Sequence, residues 1–234
     1  FVLLLRFSWC SSELLRSKSR QVASSSKIAG LAVREGKLSN GGSEFEAPHH
    51  LLVHKQCKTK HVCILCGRFI SARIQVCRSP LSEAIARHEI ELSGLSDRVE
   101  IASRGLTDNY SAWGTAAEPR MITAARNLGL AESVVATLVS HESKLLSRHD
   151  VLDPNTVLFL VTTQHEEWTR STVGDDAVEI AKNQGRLKMV DASGGDIVDP
   201  YFGDENLYLE VCQLLLRETP TTLTAVLKER NISS

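Results

Sequence analysis

Five consecutive apolar residues, Val157-Leu158-Phe159-Leu160-Val161, constrain this chain more than any other stretch. The run is too short to cross a membrane and lacks the alternation of a strand with one wet face, so it reads as a parallel strand covered on both sides. Covering both sides takes helices, and the sequence around it supplies them. Val62-Cys63-Ile64-Leu65-Cys66 is a second short apolar run. Beyond it Ser79-Pro80 opens a helix: the serine oxygen can accept from orphan amides, and proline has no amide to orphan. Leu81, Ala84, Ile85 and His88 then fall at i, i+3, i+4 and i+7. Residues 99–103 and 187–190 read as strands, and 121–130, 131–146 and 166–182 as helices. A last helix carries Leu207, Val211, Leu214 and Leu215 on one face. The expectation is an α/β fold, a doubly wound, mostly parallel four-stranded sheet with helices on both faces.

Charge divides the 234 residues into two parts. Residues 1–60 hold ten Lys/Arg against four Asp/Glu, with ten serines and no apolar periodicity, whereas 61–234 hold seventeen against twenty-four. The first part reads as a disordered, basic, Ser-rich extension or as sequence foreign to the mature protein, and the second as the folded domain. Only Glu13 precedes Glu35 among the acids, a composition resembling an organelle transit peptide. Against that, six unevenly placed cysteines form no disulfide scaffold and point to a reducing compartment, so the cytoplasm is the expected location. The apolar opening stops at Arg6, far short of the ~20 residues of a membrane span. No basic, aromatic-interleaved patch in 61–234 marks a nucleic-acid partner.

Ligands of parallel sheets bind beyond the carboxyl ends of the strands, which places Cys66 and Asp199-Pro200-Tyr201 on one rim. A thiol at a strand end, with an arginine at a following helix N-terminus, suits a phosphate. Backbone amides and the helix dipole attract the anion, the guanidinium fork takes two oxygens, and the same field lowers the thiol pKa toward thiolate. A nearby aspartic acid could protonate the leaving oxygen and then, as carboxylate, activate water.

Cys77-Arg78-Ser79-Pro80-Leu81-Ser82-Glu83-Ala84, Pro119-Arg120 and Ile197-Val198-Asp199-Pro200-Tyr201-Phe202-Gly203 resemble, in order, the low-molecular-weight protein tyrosine phosphatases. The resemblance runs from about residue 61 to 231. It implies Cys66 as nucleophile through a phosphocysteine intermediate, Arg78 as phosphate-binding arginine, Asp199 as general acid and Ser79 as the hydroxyl supporting the thiolate. It also implies Gly67 in the phosphate loop, Cys77 as a second thiol able to form a protective disulfide with the nucleophile, and Tyr201, Phe202 and Tyr110 as aromatic walls of the substrate pocket. The implied partners are phosphotyrosine proteins or small aryl phosphates, with no cofactor and no metal.

One departure stands against the family pattern. The family separates nucleophile and arginine by five residues, because so short a loop turns its amides toward one phosphate. Here eleven residues separate Cys66 from Arg78. Six extra residues are roughly 20 Å of contour, enough to bulge outward while the two ends still meet. The alternative is therefore a catalytically inactive module that binds phosphate or phosphoprotein.

Other readings are weaker. An arsenate reductase needs a relay of further cysteines, and only Cys212 follows Cys77. An arginine phosphatase resembles the tyrosine enzymes but carries Thr before its second cysteine, where this chain has Val76. Cys63 and Cys66 with His54, Cys57 and His61 have zinc-like spacing, but positions 63 and 66 of one strand face opposite ways. Cys10 to Arg16 has the family spacing, yet Glu13 would put a carboxylate in the anion site.

Overall fold

A computed structural model describes residues 4–7, 60–66, 77–106, 116–142 and 144–233. Contacts divide the chain into two units, Phe1–Trp9 with Lys58–Ser234, and Cys10–Cys57; every described residue falls in the first. Strand β1 is Leu4–Phe7, β2 Lys60–Cys66, β3 Val99–Gly105, β4 Lys144–Leu145, β5 Val157–Leu160 and β6 Leu187–Met189. Helix α1 is Arg78–Leu92, α2 Pro119–Asn127, α3 Glu132–Val139, α4 Arg148–Leu152, α5 Gln164–Val173, α6 Asp175–Asn183 and α7 Glu205–Glu229. No helix among the described residues is long and apolar enough to cross a membrane.

Four of the strands are those read from the sequence, and they pair in parallel, β2 with β3 and β5, and β5 with β6. All four residues of β5 are buried, as an uninterrupted apolar run requires. Among the described residues the sheet nevertheless has six strands in the order β4-β3-β1-β2-β5-β6, not four. The two additions are short. Strand β4 adds two residues in parallel to the end of β3. Strand β1, inside the stretch expected to be an unpacked extension, runs antiparallel and pairs Phe7 with Val99, the first residue of β3. It thus heads for the rim opposite Cys66, whose Cα partner is Gly105 at the end of β3. The Cys10 to Arg16 stretch itself lies outside the described residues.

The helices contact one another in two groups. Helix α1 packs on α3, α7 and β3, and α2 on α3 and α7; α4, α5 and α6 contact each other. This is the doubly wound arrangement, with both faces of the sheet covered. Leu81, Met121, Leu138, Phe159, Tyr208 and Leu215 are among the side chains the core buries.

Three local expectations fail for identifiable reasons. Ser79 does not cap α1: the cap position is Cys77, with no side-chain cap bond, and Ser79 lies inside the first turn. The helix expected over 131–146 ends at Val139. There the Ser140 hydroxyl bonds back to the Ala136 carbonyl at 2.9 Å, and His141 turns inward onto Glu83. The short α4 then starts under a Ser147–Asp150 capping box. The helix expected over 166–182 is two, broken at Gly174, whose φ of +94° suits glycine and few other residues.

Candidate active site

At the carboxyl rim, the chain leaving β6 returns to β5. The Ile197 amide donates to the Val161 carbonyl at 3.0 Å, which fixes residues 197–199 over the end of that strand. Arg78, in the first turn of α1, reaches the same place. Its Nη1 donates to the Ile197 carbonyl at 2.6 Å and its Nη2 to Asp199 Oδ2 at 2.7 Å. The guanidinium is only 7% exposed, whereas Asp199 is 35% exposed. A buried cation at a helix N-terminus therefore faces a half-open carboxylate across 121 positions of sequence. Asp199 uses its other oxygen, Oδ1, to accept from the Tyr201 amide at 3.2 Å, capping a single 3-10 turn over Pro200–Phe202.

That turn presents the aromatic pair. Tyr201 and Phe202 stack edge to face at 5.0 Å, and Phe202 is 72% exposed. The turn that Asp199 caps thus presents a large exposed ring close to the Arg78–Asp199 pair.

Two buried donors near Arg78 have no partner among the described residues. Ser79 is fully buried and its Oγ is unpaired. His165, in the first turn of α5, accepts the Thr162 amide on Nδ1 at 3.0 Å, which puts its proton on Nε2. Burial pushes the imidazole pKa well below its ordinary value, and the Arg78 charge pushes it further, so the ring is neutral. Its Nε2 is buried and unpaired. Unpaired buried donors are uncommon enough to need a reason.

Behind the pair lies a second polar cluster. Glu83 is buried on α1 and accepts on Oε2 from the Ser103 amide at 3.0 Å and the Ser103 hydroxyl at 2.6 Å. His141 Nδ1 approaches the same oxygen at 3.3 Å, and Arg87 holds Oε1 at 2.8 Å. Burial opposes the Glu83 charge, but His141, Arg87 and Ser103 outweigh it and bring its pKa from 4.5 down to about 2. Through Ser103 this cluster ties α1 to β3.

Cys77 is buried, with Sγ 3.8 Å from the Tyr208 hydroxyl of α7. Burial, with Cys77 adding to it, pushes the Tyr208 pKa far up, so the phenol keeps its proton. Arg120, part of the Pro119-Arg120 motif that the sequence left without a role, also belongs here. Its Nε donates to Glu118 Oε1 at 2.9 Å and its Nη2 to the Tyr201 carbonyl at 2.9 Å.

The structure thus brings together Arg78, Asp199, Ser79, Cys77, Tyr201 and Phe202. Cys66 ends β2 on the same rim of the sheet, while Gly67 and Tyr110 lie outside the described residues. The sequence reading missed Tyr208 and the Glu83 cluster, whereas Thr162-Thr163-Gln164-His165 resembles a family loop behind the site and so marks His165, though as a satisfied polar group and not as an actor. For Glu83 the only signal was the helix-start pattern around it. Among the described residues, no three His, Cys, Asp or Glu side chains converge as a metal site requires.

Comparison with solved structures finds the same fold. Wzb of Vibrio vulnificus in complex with benzylphosphonate matches with a TM-score of 0.51 and 16% identity, over 70% of this chain and 95% of that one. A protein tyrosine phosphatase of Entamoeba histolytica with Hepes in its active site matches with a TM-score of 0.52 and 18% identity, over 73% and 97% of the two chains. The arginine phosphatase YwlE, in a cysteine-to-serine mutant with a phosphorylated active-site serine, matches with a TM-score of 0.51 and 19% identity, over 72% and 96%. No curated protein sequence matches. The family model for the low molecular weight phosphotyrosine protein phosphatases matches residues 68–232, beginning two residues beyond Cys66. With most of its length matched, and Arg78 and Asp199 both inside the match, this chain belongs to the low-molecular-weight phosphotyrosine protein phosphatase family of phosphoric monoester hydrolases.

Proposed function

We propose that the chain hydrolyses aryl phosphates, phosphotyrosine in proteins foremost, through a phosphocysteine formed on Cys66. The observation that carries this is the Arg78–Asp199 pair at 2.7 Å beside an exposed aromatic wall. A phosphoryl group entering the rim displaces the Asp199 carboxylate from Arg78, because its oxygens meet the guanidinium fork and the α1 N-terminus together. The Cys66 thiolate then attacks phosphorus, forming the S–P bond as the aryl P–O bond breaks. Asp199, which takes up a proton from solvent once it has left Arg78, gives that proton to the departing phenolate. As carboxylate it next takes a proton from water, whose oxygen bonds to phosphorus while the S–P bond breaks, releasing inorganic phosphate and thiolate. The unpaired Ser79 hydroxyl is a donor for that thiolate. The reaction needs a reduced thiol, which fits the cytoplasm.

A second reading has its own observation. The family match starts after Cys66, and six positions before Arg78, where the family spacing puts the nucleophile, stands Ala72. A domain so built binds phosphoprotein without turnover. Hydrolysis of p-nitrophenyl phosphate separates the two readings. On the enzyme reading Cys66→Ser abolishes turnover and Asp199→Ala lowers it by about 10²- to 10⁴-fold. Equal turnover by Cys66→Ser refutes the proposed nucleophile. Thermal stabilisation by phosphate without any hydrolysis establishes the binding module.

A further inference from the structure

The Asp199 turn has to keep its carboxyl within reach of the Arg78 site, yet one face of it is open to solvent. Its start is tied down by Arg78, and its end by Leu207, since a Cβ on Gly203 would sit 2.3 Å from that side chain. Asp204 then caps α7 by accepting the Leu207 amide at 3.0 Å. Between those ends the turn is gripped from outside by a residue of another helix.

Arg120 sits at the second position of α2, just after Pro119 opens that helix. Besides its bond to the Tyr201 carbonyl at 2.9 Å, its Nη1 lies 3.4 Å from the Gly203 carbonyl. Its guanidinium lies over the Tyr208 ring at 4.7 Å and the Tyr201 ring at 5.6 Å. Glu118, buried at the start of α2, orients the plane by accepting from Nε. One planar cation therefore holds two carbonyls and two rings, a task for which the ammonium of lysine has neither the fork nor the flat face. Through Tyr208, whose hydroxyl meets Cys77, the same grip reaches the residue before Arg78.

We propose that Arg120 is a positioning residue which fixes the 199–203 turn, and with it the Asp199 carboxyl, relative to Arg78. The claim rests on the phosphatase reading given above for its link to turnover, and on the geometry alone for its hold on the turn. An acid displaced by an ångström still lets the thiolate attack but no longer meets the leaving oxygen. The loss therefore shows only where the leaving group needs a proton.

The test compares wild type with Arg120→Met, which keeps the stem and drops the guanidinium, and with Arg120→Lys. For phenyl phosphate, kcat falls about 10- to 100-fold in Arg120→Met. For 2,4-dinitrophenyl phosphate, whose phenolate leaves unprotonated, kcat stays within about twofold. Arg120→Lys recovers part of the phenyl phosphate rate, because one ammonium can still reach one carbonyl. In parallel, hydrogen exchange of the Tyr201 and Gly203 amides speeds up about tenfold in Arg120→Met, while the Leu158 amide of β5 is unchanged. Equal losses on the two esters, or unaltered exchange at Tyr201 and Gly203, overturn the assignment. A wild type that cleaves neither ester counts against the phosphatase reading instead, and the exchange measurement then decides the positioning role by itself.

Discussion

Replacing Asp199 by Asn isolates the Arg78–Asp199 pair with little change of shape. Breaking a fully buried ion pair by removing one partner costs about 3–5 kcal/mol, and an exposed one less than about 1 kcal/mol. Here the guanidinium is 7% exposed and the carboxylate 35% exposed, which places the pair between the limits. Arg78 also keeps the Ile197 carbonyl at 2.6 Å, and an Asn side-chain oxygen can still accept the Tyr201 amide. The expected loss is about 1–2 kcal/mol, or about 2–8 °C in Tm for a domain of this size. The same substitution has the opposite effect on anion binding. In wild type, phosphate must take Arg78 away from Asp199, whereas in Asp199→Asn that competitor is neutral. Phosphate therefore binds about 5- to 30-fold more tightly to the variant, the ratio that one or two kcal/mol sets. Thermal unfolding across a phosphate series at constant ionic strength reads both effects, since a bound ligand raises Tm by mass action. In chloride the variant melts below wild type, and rising phosphate closes the gap between them. Arg78→Met should lose the phosphate dependence. A variant as stable as wild type in chloride, or no more responsive to phosphate, refutes the competition.

Three further outcomes follow from other contacts. Glu83 has a folded pKa of about 2 against 4.5 unfolded, so its contribution is present above pH 4.5 and disappears as acid takes the pH down through that window. Urea unfolding at stepped pH should show about 3 kcal/mol more acid loss in wild type than in Glu83→Gln, which is already destabilised at pH 7; parallel curves would discredit the buried carboxylate. Gly174→Ala puts a Cβ 2.8 Å from Arg148 Nη1 at a φ of +94°, and should cost about 1–3 kcal/mol by denaturant titration with KM unaltered. Phe202→Ala should leave stability within about 0.5 kcal/mol and raise KM for aryl phosphates about 2- to 10-fold; a stability loss with constant KM would reassign the ring to packing.

The layered fold was legible because its signals are local. Val157–Leu160 announces a covered strand with its own residues, and alternation with amphipathic stretches does the rest. The pairing of Arg78 with Asp199 is not local, and no periodicity links positions 121 apart. It could be anticipated only from family resemblance at both ends. Arg120 shows the limit of that route. Its position after Pro119 was recognisable, but its partners are carbonyls and ring faces on distant elements, which leave no trace in the spacing of side chains. The misjudged helix ends had local causes that composition hides. Ser140 can lengthen a helix or bond back and stop it, and what decides is that His141 is drawn onto Glu83.

Ser79 carries the same argument into the site itself. By the rules of helix starts, a serine followed by proline is a cap, its oxygen committed to an orphan amide. In this fold Arg78 is already in the helix, held by Ile197 and Asp199, so Ser79 is carried past the cap position into the core with its hydroxyl unbonded. A buried hydroxyl without a partner costs about 1–3 kcal/mol, more than a lost cap. Among the described residues His141 Nε2, Thr156 Oγ1 and Arg186 Nη2 are unpaired as well, so an orphaned atom alone marks no site; what sets Ser79 and the Nε2 of His165 apart is that both are donors close to the buried guanidinium where the proposed reaction brings in an anion.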